Sequence, residues 1–228
     1  MSKLIHAAAK ARVPYILPNW FGHDVANNSL CHDNFLAQMR DNIRSETRSL
    51  DISSPLFLIC NFWYEFSLGG GPDRFGFDFH NRSLVYLDDG NVAINTSTWT
   101  RCGCAVANLL SLKELPDDEK DQSPTLSQFR DDGGLVYISS FRVSQREMFE
   151  SVKRVTGTTD ADWTITHESS EQRWKDGIAE TTGGNMKAFT KMLRALHNDV
   201  LGLPTEDLDH FTRIGVSMGE NDEVTHTH

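Results

Sequence analysis

Two short segments carry the residue types best suited to holding a flat organic ligand. Asn19-Trp20-Phe21-Gly22 falls just past the expected carboxyl end of a parallel strand, the place where open α/β sheets bind ligands. The same four residues also read as a tight turn that uses Gly22 and packs Phe21. Asn61-Phe62-Trp63-Tyr64 follows a second apolar strand. There an amide can hydrogen-bond and aromatic rings can wall a flat molecule. The alternative is an aromatic core cluster at a sub-domain junction. His23-Asp24 and His32-Asp33 are candidate acid–base pairs, because a carboxylate can orient an imidazole. Adjacent side chains on a helix or strand point apart, however, so both pairs also read as surface polar residues. His23 is the stronger candidate, since it directly follows the first loop.

Other chemistry-bearing residues are fewer. Cys102-Gly103-Cys104 could ligate a metal, but no second Cys/His pair stands at finger-like spacing and no CxxC occurs. The four cysteines, Cys31, Cys60, Cys102 and Cys104, read as buried or inert thiols, and a chain of this length needs no disulfide framework. Thr98 is placed to cap the helix that follows, and Arg101 to reach an anion. Arg40 and Arg44 stand on a helix, but a guanidinium stays protonated and is a poor base. Lys153 and Arg154 read as surface charge.

The elements that must position these residues follow an alternating α/β pattern. Leu4–Lys10 reads as the end of a helix, and residues 12–18 as a short buried strand bounded by prolines. Residues 33–50 form a predicted helix, capped by Asp33, with Phe35, Leu36, Met39, Ile43 and Leu50 at helical spacing. Pro55–Cys60 is a continuous apolar run, the mark of a strand covered on both faces. The helix at 33–50 is thus the crossover between two parallel strands. Residues 73–96 read as short strands, with alternating Phe75, Phe77 and Phe79 and a hairpin turn at Asp89-Gly90. A helix is expected at 99–113, an exposed loop at 114–134 and a strand at 135–138. Ser144 and Glu147 are spaced as a capping box for a helix that Gly157 ends. An edge strand at 163–166 and helices near 168–180 and 185–200 complete the reading.

The balance of 22 basic against 32 acidic residues gives a formal net charge of −10. That excludes an overall electrostatic footprint for nucleic acid or an anionic membrane. No run of 18 apolar residues is present, so no spanning helix is expected. No signal peptide is read at the start, and the expected compartment is the cytosol.

Taken in order, these motifs resemble a known family. Residues 4–13 with Pro18-Asn19-Trp20-Phe21-Gly22, then the strand 55–60 with Asn61–Tyr64, then Val136–Glu147 and Asp162–Ile165, are similar to isoflavone-reductase-like (NmrA-like) NAD(P)-binding proteins of the fungal branch. The resemblance runs from about residue 4 to residue 200. It implies an α/β fold with a partial Rossmann-type parallel sheet and a smaller C-terminal α/β substrate sub-domain. Residues 1–68 would close the Rossmann part, 69–215 would hold the substrate sub-domain with returning Rossmann elements, and 216–228 would be a flexible tail. By resemblance, Asn19, Trp20, Phe21, Gly22, Asn61 and Phe62 would line NADP or NAD, and His23, Trp63 and Tyr64 the substrate. The family's glycine fingerprint, which lets a helix N-terminus hold the pyrophosphate, does not occur here. The chain thus reads as lacking the family's N-terminal part, with a sheet edge exposed for homo-oligomerisation. The family's reductases carry a catalytic lysine early in the helix after the first loop. Phe35 stands there, and no lysine lies between Lys10 and Lys113. The implied function is an NAD(P)(H)-dependent oxidoreductase acting on a small, aromatic or phenolic molecule, impaired by these losses. The alternative is a non-catalytic dinucleotide sensor or protein-binding module.

Overall fold

The computed structural model describes residues 1–193 of the 228. The expected tail at 216–228 and the end of the helix predicted at 185–200 lie outside the described residues.

In chain order the first elements are α1 (Ser2–Lys10), β1 (Tyr15–Ile16), α2 (Asn28–Asp33), α3 (Ala37–Leu50), β2 (Ser54–Pro55) and β3 (Phe57–Ile59). Then come β4 (Phe62–Trp63), α4 (Tyr64–Leu68), β5 (Phe77–Asp78), β6 (Ser83–Leu87), β7 (Ile94–Ser97) and α5 (Trp99–Leu110). The last are α6 (Leu126–Asp131), β8 (Leu135–Tyr137), β9 (Phe141–Val143), α7 (Gln145–Thr156), β10 (Thr164–Glu168) and α8 (Ser170–Thr182). The chain forms two compact units. One comprises Met1–Asn61 and Thr100–Ser139, the other Phe62–Trp99 and the described residues from Ser140 onward.

In the first unit β1 pairs with β2 and β3 pairs with β8, both in parallel. The Leu56 N–H donates to the Ile16 carbonyl, and the Phe57 N–H to the Gly134 carbonyl. Residues 54–59 therefore have a parallel neighbour on each side. This is why the run could be wholly apolar: Leu56, Phe57, Leu58, Ile59 and Cys60 are all buried. Each large side chain hidden this way contributes about 1.5–3 kcal/mol. Helices α2 and α3 form the crossover from β1 to β2, as the spacing predicts. Ile5, Ile43 and Phe57 share one core cluster.

Two local expectations fail here. Residues 33–50 are not one helix. Asn27 caps α2, accepting from the Leu30 N–H, and the chain breaks at Asn34 and Phe35 before α3 begins. Asn34 is fully buried and its carboxamide oxygen accepts from the Leu36 N–H. A buried local hydrogen bond thereby outweighs helix continuation. Residues 114–134 are not all exposed loop either. They contain α6, because Leu126 and Phe129 bury their side chains.

The second unit holds two three-stranded sheets, ordered β10-β6-β5 and β4-β7-β9. β5 and β6 form an antiparallel hairpin whose turn lies at residues 79–82, with Arg82 at φ 47°. Asp89-Gly90 is therefore not the hairpin turn. It carries the chain from one sheet to the other, because β7 pairs with β4 and β9 instead of β6. β10 is an edge strand parallel to β6, as expected. Phe75, Phe77, Phe149 and Trp163 build an aromatic core, with Phe149 edge-on to Trp163 at 5.4 Å. Ser144 and Glu147 form the predicted capping box of α7, and Gly157 closes the helix at φ 65°. Gln145 ties this unit together. Its amide donates to the carbonyls of Phe75 and Val85 at 3.1 and 2.9 Å and accepts from the Leu87 N–H at 2.8 Å. Gln145→Leu leaves three main-chain groups without these partners. It is expected to cost about 2 kcal/mol, read as a lower urea midpoint at unchanged slope.

Among the described residues, no helix is long and apolar enough to cross a membrane.

Candidate functional site

The carboxyl edge of the parallel strands in the first unit is built by main-chain pairing. After β1 the chain makes two tight steps, with the Trp20 N–H donating to the Pro18 carbonyl and the Gly22 N–H to the Trp20 carbonyl. Gly22 then bridges in parallel to Ile59. Its carbonyl accepts from both the Cys60 and the Asn61 N–H, at 3.0 and 2.9 Å. The loop and the strand end are thus stitched together at one point. Gly22 has no positive φ, and a Cβ built on it would meet nothing within 4 Å. Turn geometry therefore does not require this glycine, and open space lies beside it.

Asn61 ends this edge. It sits in the left-handed region at φ 55° and is 5% exposed. Neither its carboxamide oxygen nor its nitrogen has a hydrogen-bond partner among the described residues. Asparagine tolerates this backbone conformation better than most residues, but a buried amide left wholly unpaired is costly.

The other expected residues fall into two groups. Asn19 is exposed and Phe21 half-buried. Trp20 is buried, its indole N–H donating to the His23 carbonyl at 2.9 Å and its ring edge-on to Phe57 at 5.9 Å. His23 is buried as well. Its Nε2 lies 3.1 Å from the Asn34 amide nitrogen and 3.6 Å from the Cys31 sulfur. Asp24 accepts from the Ala26 N–H and from the Tyr137 hydroxyl. His32 and Asp33 meet, at 3.4 Å, on the surface.

The Trp20–His23–Cys31–Asn34 cluster escaped the sequence reading, because treating 33–50 as one helix hid the turn that brings Asn34 inward. Arg40 lies nearby on α3. It is buried, bonding Asp41 at 2.8 Å and Asn28 at 2.7 Å. Burial pushes the Cys31 thiol above its ordinary pKa, with Arg40 partly offsetting this. Cys31 therefore stays protonated at neutral pH and is no ready nucleophile. Phe35 lies at the helix break with φ 62° and half its surface exposed.

In the second unit Phe62 and Trp63 form β4, half-buried, and pair with Thr96 and Ser97. Phe62 stands edge-on to Phe75 at 5.6 Å, and Trp63 to Phe66 at 5.9 Å. Tyr64 is buried beside Phe141 at 5.3 Å, and its hydroxyl has no partner among the described residues. Burial first, and the Glu65 charge second, raise its pKa, so it keeps its proton. Cys102 is buried and Cys104 exposed on α5.

No protein-family model matches the chain. It is similar to a curated protein, Oxidoreductase aprR of Aspergillus flavus, with 22% identity over 90% of this chain and 69% of that protein. Among solved structures it is similar to the pinoresinol-lariciresinol and phenylcoumaran benzylic ether reductases, which are described in relation to isoflavone reductases. That match has a TM-score of 0.57 at 16% identity and covers 86% of this chain and 56% of that one. It is also similar to the leucoanthocyanidin reductase–NADPH complex of Vitis vinifera, with a TM-score of 0.55 at 15% identity, covering 86% of this chain and 59% of that one. The chain thus spans less than two thirds of the solved structures it matches. The mixed α/β fold with parallel sheet segments is the corresponding portion of the isoflavone-reductase-like fold, which bears out the resemblance read from the sequence.

Proposed function

We propose that the chain supplies the nicotinamide end of an NAD(P)(H)-dependent oxidoreductase site acting on a small, aromatic or phenolic molecule. One observation carries this reading: the Asn61 amide is buried and, among the described residues, unpartnered at the carboxyl end of a central parallel strand, where α/β sheets of this kind take their ligands. A carboxamide has two donors and two acceptor sites. It can therefore pair with the nicotinamide carboxamide or a ribose hydroxyl, and that pairing would offset the cost of its burial. The open space beside Gly22 lets a flat ring approach the strand end. Within the first unit Phe21, half-buried, retains ring surface for a ligand, whereas Trp20 is committed to its core. His23 lies one residue beyond this edge and acts through the loop that it anchors. When bound, the reduced nicotinamide supplies hydride.

A second reading, a dinucleotide sensor without catalysis, is favoured by Phe35, which puts a phenyl ring where the related reductases are expected to carry a lysine. Titration of NADPH into the full chain, followed by nicotinamide fluorescence, tests both. Saturable binding in the micromolar range is expected, and its absence overturns both. Loss of nicotinamide absorbance on adding phenolic substrates then separates the reductase from the sensor.

A further inference from the structure

A cleft of about 540 Å³ opens in the first unit at the amino-terminal end of its parallel strands, where α3 and α6 finish and β2 begins. Residues 54–59 separate it from the Asn61 edge by about 17 Å of extended chain. In a chain of formal net charge −10, three arginines line this cleft against one acid, Asp51. Arg44 and Arg48 come from α3 and Arg130 from α6. Arg48 and Arg130 stand in last helical turns, where a cation complements the helix dipole. Arg44 stands a turn earlier, on the same face of α3 as Arg48, and has no such role. Its guanidinium carbon lies 5.6 Å from the centroid of the Phe57 ring, a wholly buried side chain. That contact holds a half-buried guanidinium at the cleft. Neither the Arg44 nor the Arg48 side chain has a hydrogen-bond or ion-pair partner among the described residues. Arg130 engages its neighbour Asp131 through Nε alone, at 3.2 Å. A guanidinium carries five N–H donors and keeps its charge at any working pH. Three such forks at one cleft, two of them with no protein acceptor, suit an oxyanion. A phosphate dianion offers three terminal oxygens, one for each guanidinium, where a carboxylate offers two. Ile52 and Pro55 add apolar surface beside them.

We propose that this cleft binds a small phosphate dianion, free or as a monoester of a small organic molecule, gripped by Arg44, Arg48 and Arg130. The site uses the first unit alone, on the sheet edge away from Asn61, and does not rest on nucleotide binding. Its test is therefore run without nucleotide, and its outcome is distinct from that of the NADPH titration.

Three probes decide it: inorganic phosphate, phenyl phosphate and benzoate, titrated into the isotope-labelled full chain at low salt and about pH 8, where both phosphates are dianions. The arginine Nε–H signals report binding. Saturable shifts at Arg44, Arg48 and Arg130 are expected with both phosphates, and at least about tenfold weaker binding with benzoate. Tighter binding of phenyl phosphate than of inorganic phosphate is expected if the ligand is a monoester, and equal affinity if it is free phosphate. Arg44→Gln and Arg48→Gln are each expected to weaken phosphate binding roughly ten- to hundredfold. Arg48 is exposed, so its replacement leaves the core intact, and the dispersion of the amide spectrum checks both variants. Asp51→Asn is expected to act in the opposite direction, tightening binding about threefold or more, because it removes the acid from the cleft. Arg154→Gln makes the same change in net charge on an exposed face of the second unit and is expected to leave binding unchanged. The proposal is overturned if neither phosphate gives saturable shifts at these arginines, if benzoate binds as tightly, or if Arg154→Gln weakens binding as much as Arg48→Gln does.

Discussion

Asn61→Gly is expected to weaken NADPH binding roughly ten- to hundredfold while leaving the chain at least as stable as its parent. The two halves of this result have opposite signs because the side chain is placed for a ligand and not for the fold. Both polar atoms of the Asn61 amide are buried without partners among the described residues, and each such atom costs about 1–3 kcal/mol. The backbone stands at φ 55°, where glycine is under no strain. Glycine removes both penalties. Against this stand the lost packing of one small side chain and the greater freedom of glycine in the unfolded chain, about 1 kcal/mol. The net expectation is a melting temperature equal to the parent's or a few degrees above it. The hydrogen bond from residue 61 N–H to the Gly22 carbonyl is main-chain and survives. Two lost bonds to a nicotinamide, at about 0.5–1.5 kcal/mol each, give the loss in affinity. Were Asn61 only a turn residue, the variant would melt at a lower temperature and bind NADPH as the parent does. Fluorescence titration and thermal melting of the same preparation decide between the two.

Gly134→Ala is expected to destabilise the first unit by on the order of 3–4 kcal/mol, a fall in melting temperature of roughly 10 °C. Gly134 lies at φ 76°, and a Cβ on it would overlap the Pro55 carbonyl oxygen, a main-chain atom that cannot swing aside. Its own carbonyl receives the Phe57 N–H at 2.6 Å. The residue thus sits where β8 is laid against the central strand. An added methyl must push the two apart or break that first bond of the ladder. Gly133 provides the control. It has nearly the same φ, 78°, but a Cβ there would meet nothing within 4 Å. Gly133→Ala pays only the left-handed strain, about 1 kcal/mol. Equal losses for the two variants would show that conformation alone, and not the close strand approach, makes Gly134 necessary.

The parts of the fold legible in the sequence are those written by local or periodic signals. The apolar run before Cys60 announces a strand covered on both faces, because only a buried strand tolerates apolar residues at every position. Ser144, Glu147 and Gly157 announce the two ends of α7, because capping depends on side chains within a turn of the end. The strand end at Cys60 and Asn61 was also readable, since the carboxyl edge of a parallel sheet follows from the strand order. The break at Asn34 was not readable. Helical periodicity runs through it, and the buried contacts that turn Asn34 inward come from His23 and Leu36 on either side of it.

The sequence by itself therefore determined the class of fold and where its parallel strands end. Tertiary structure decided which residues at those ends are buried and which are bonded. Trp20 and Trp63 are the same residue, yet one is sealed in a core and the other is only partly buried. Asn34 and Asn61 are both buried, yet one is bonded and the other has no partner among the described residues. Gly133 and Gly134 are adjacent and alike, yet only one is pressed against another strand. Each distinction depends on atoms brought close from far along the chain. Burial and hydrogen-bond satisfaction are properties of those neighbours, and no residue type or spacing encodes them alone.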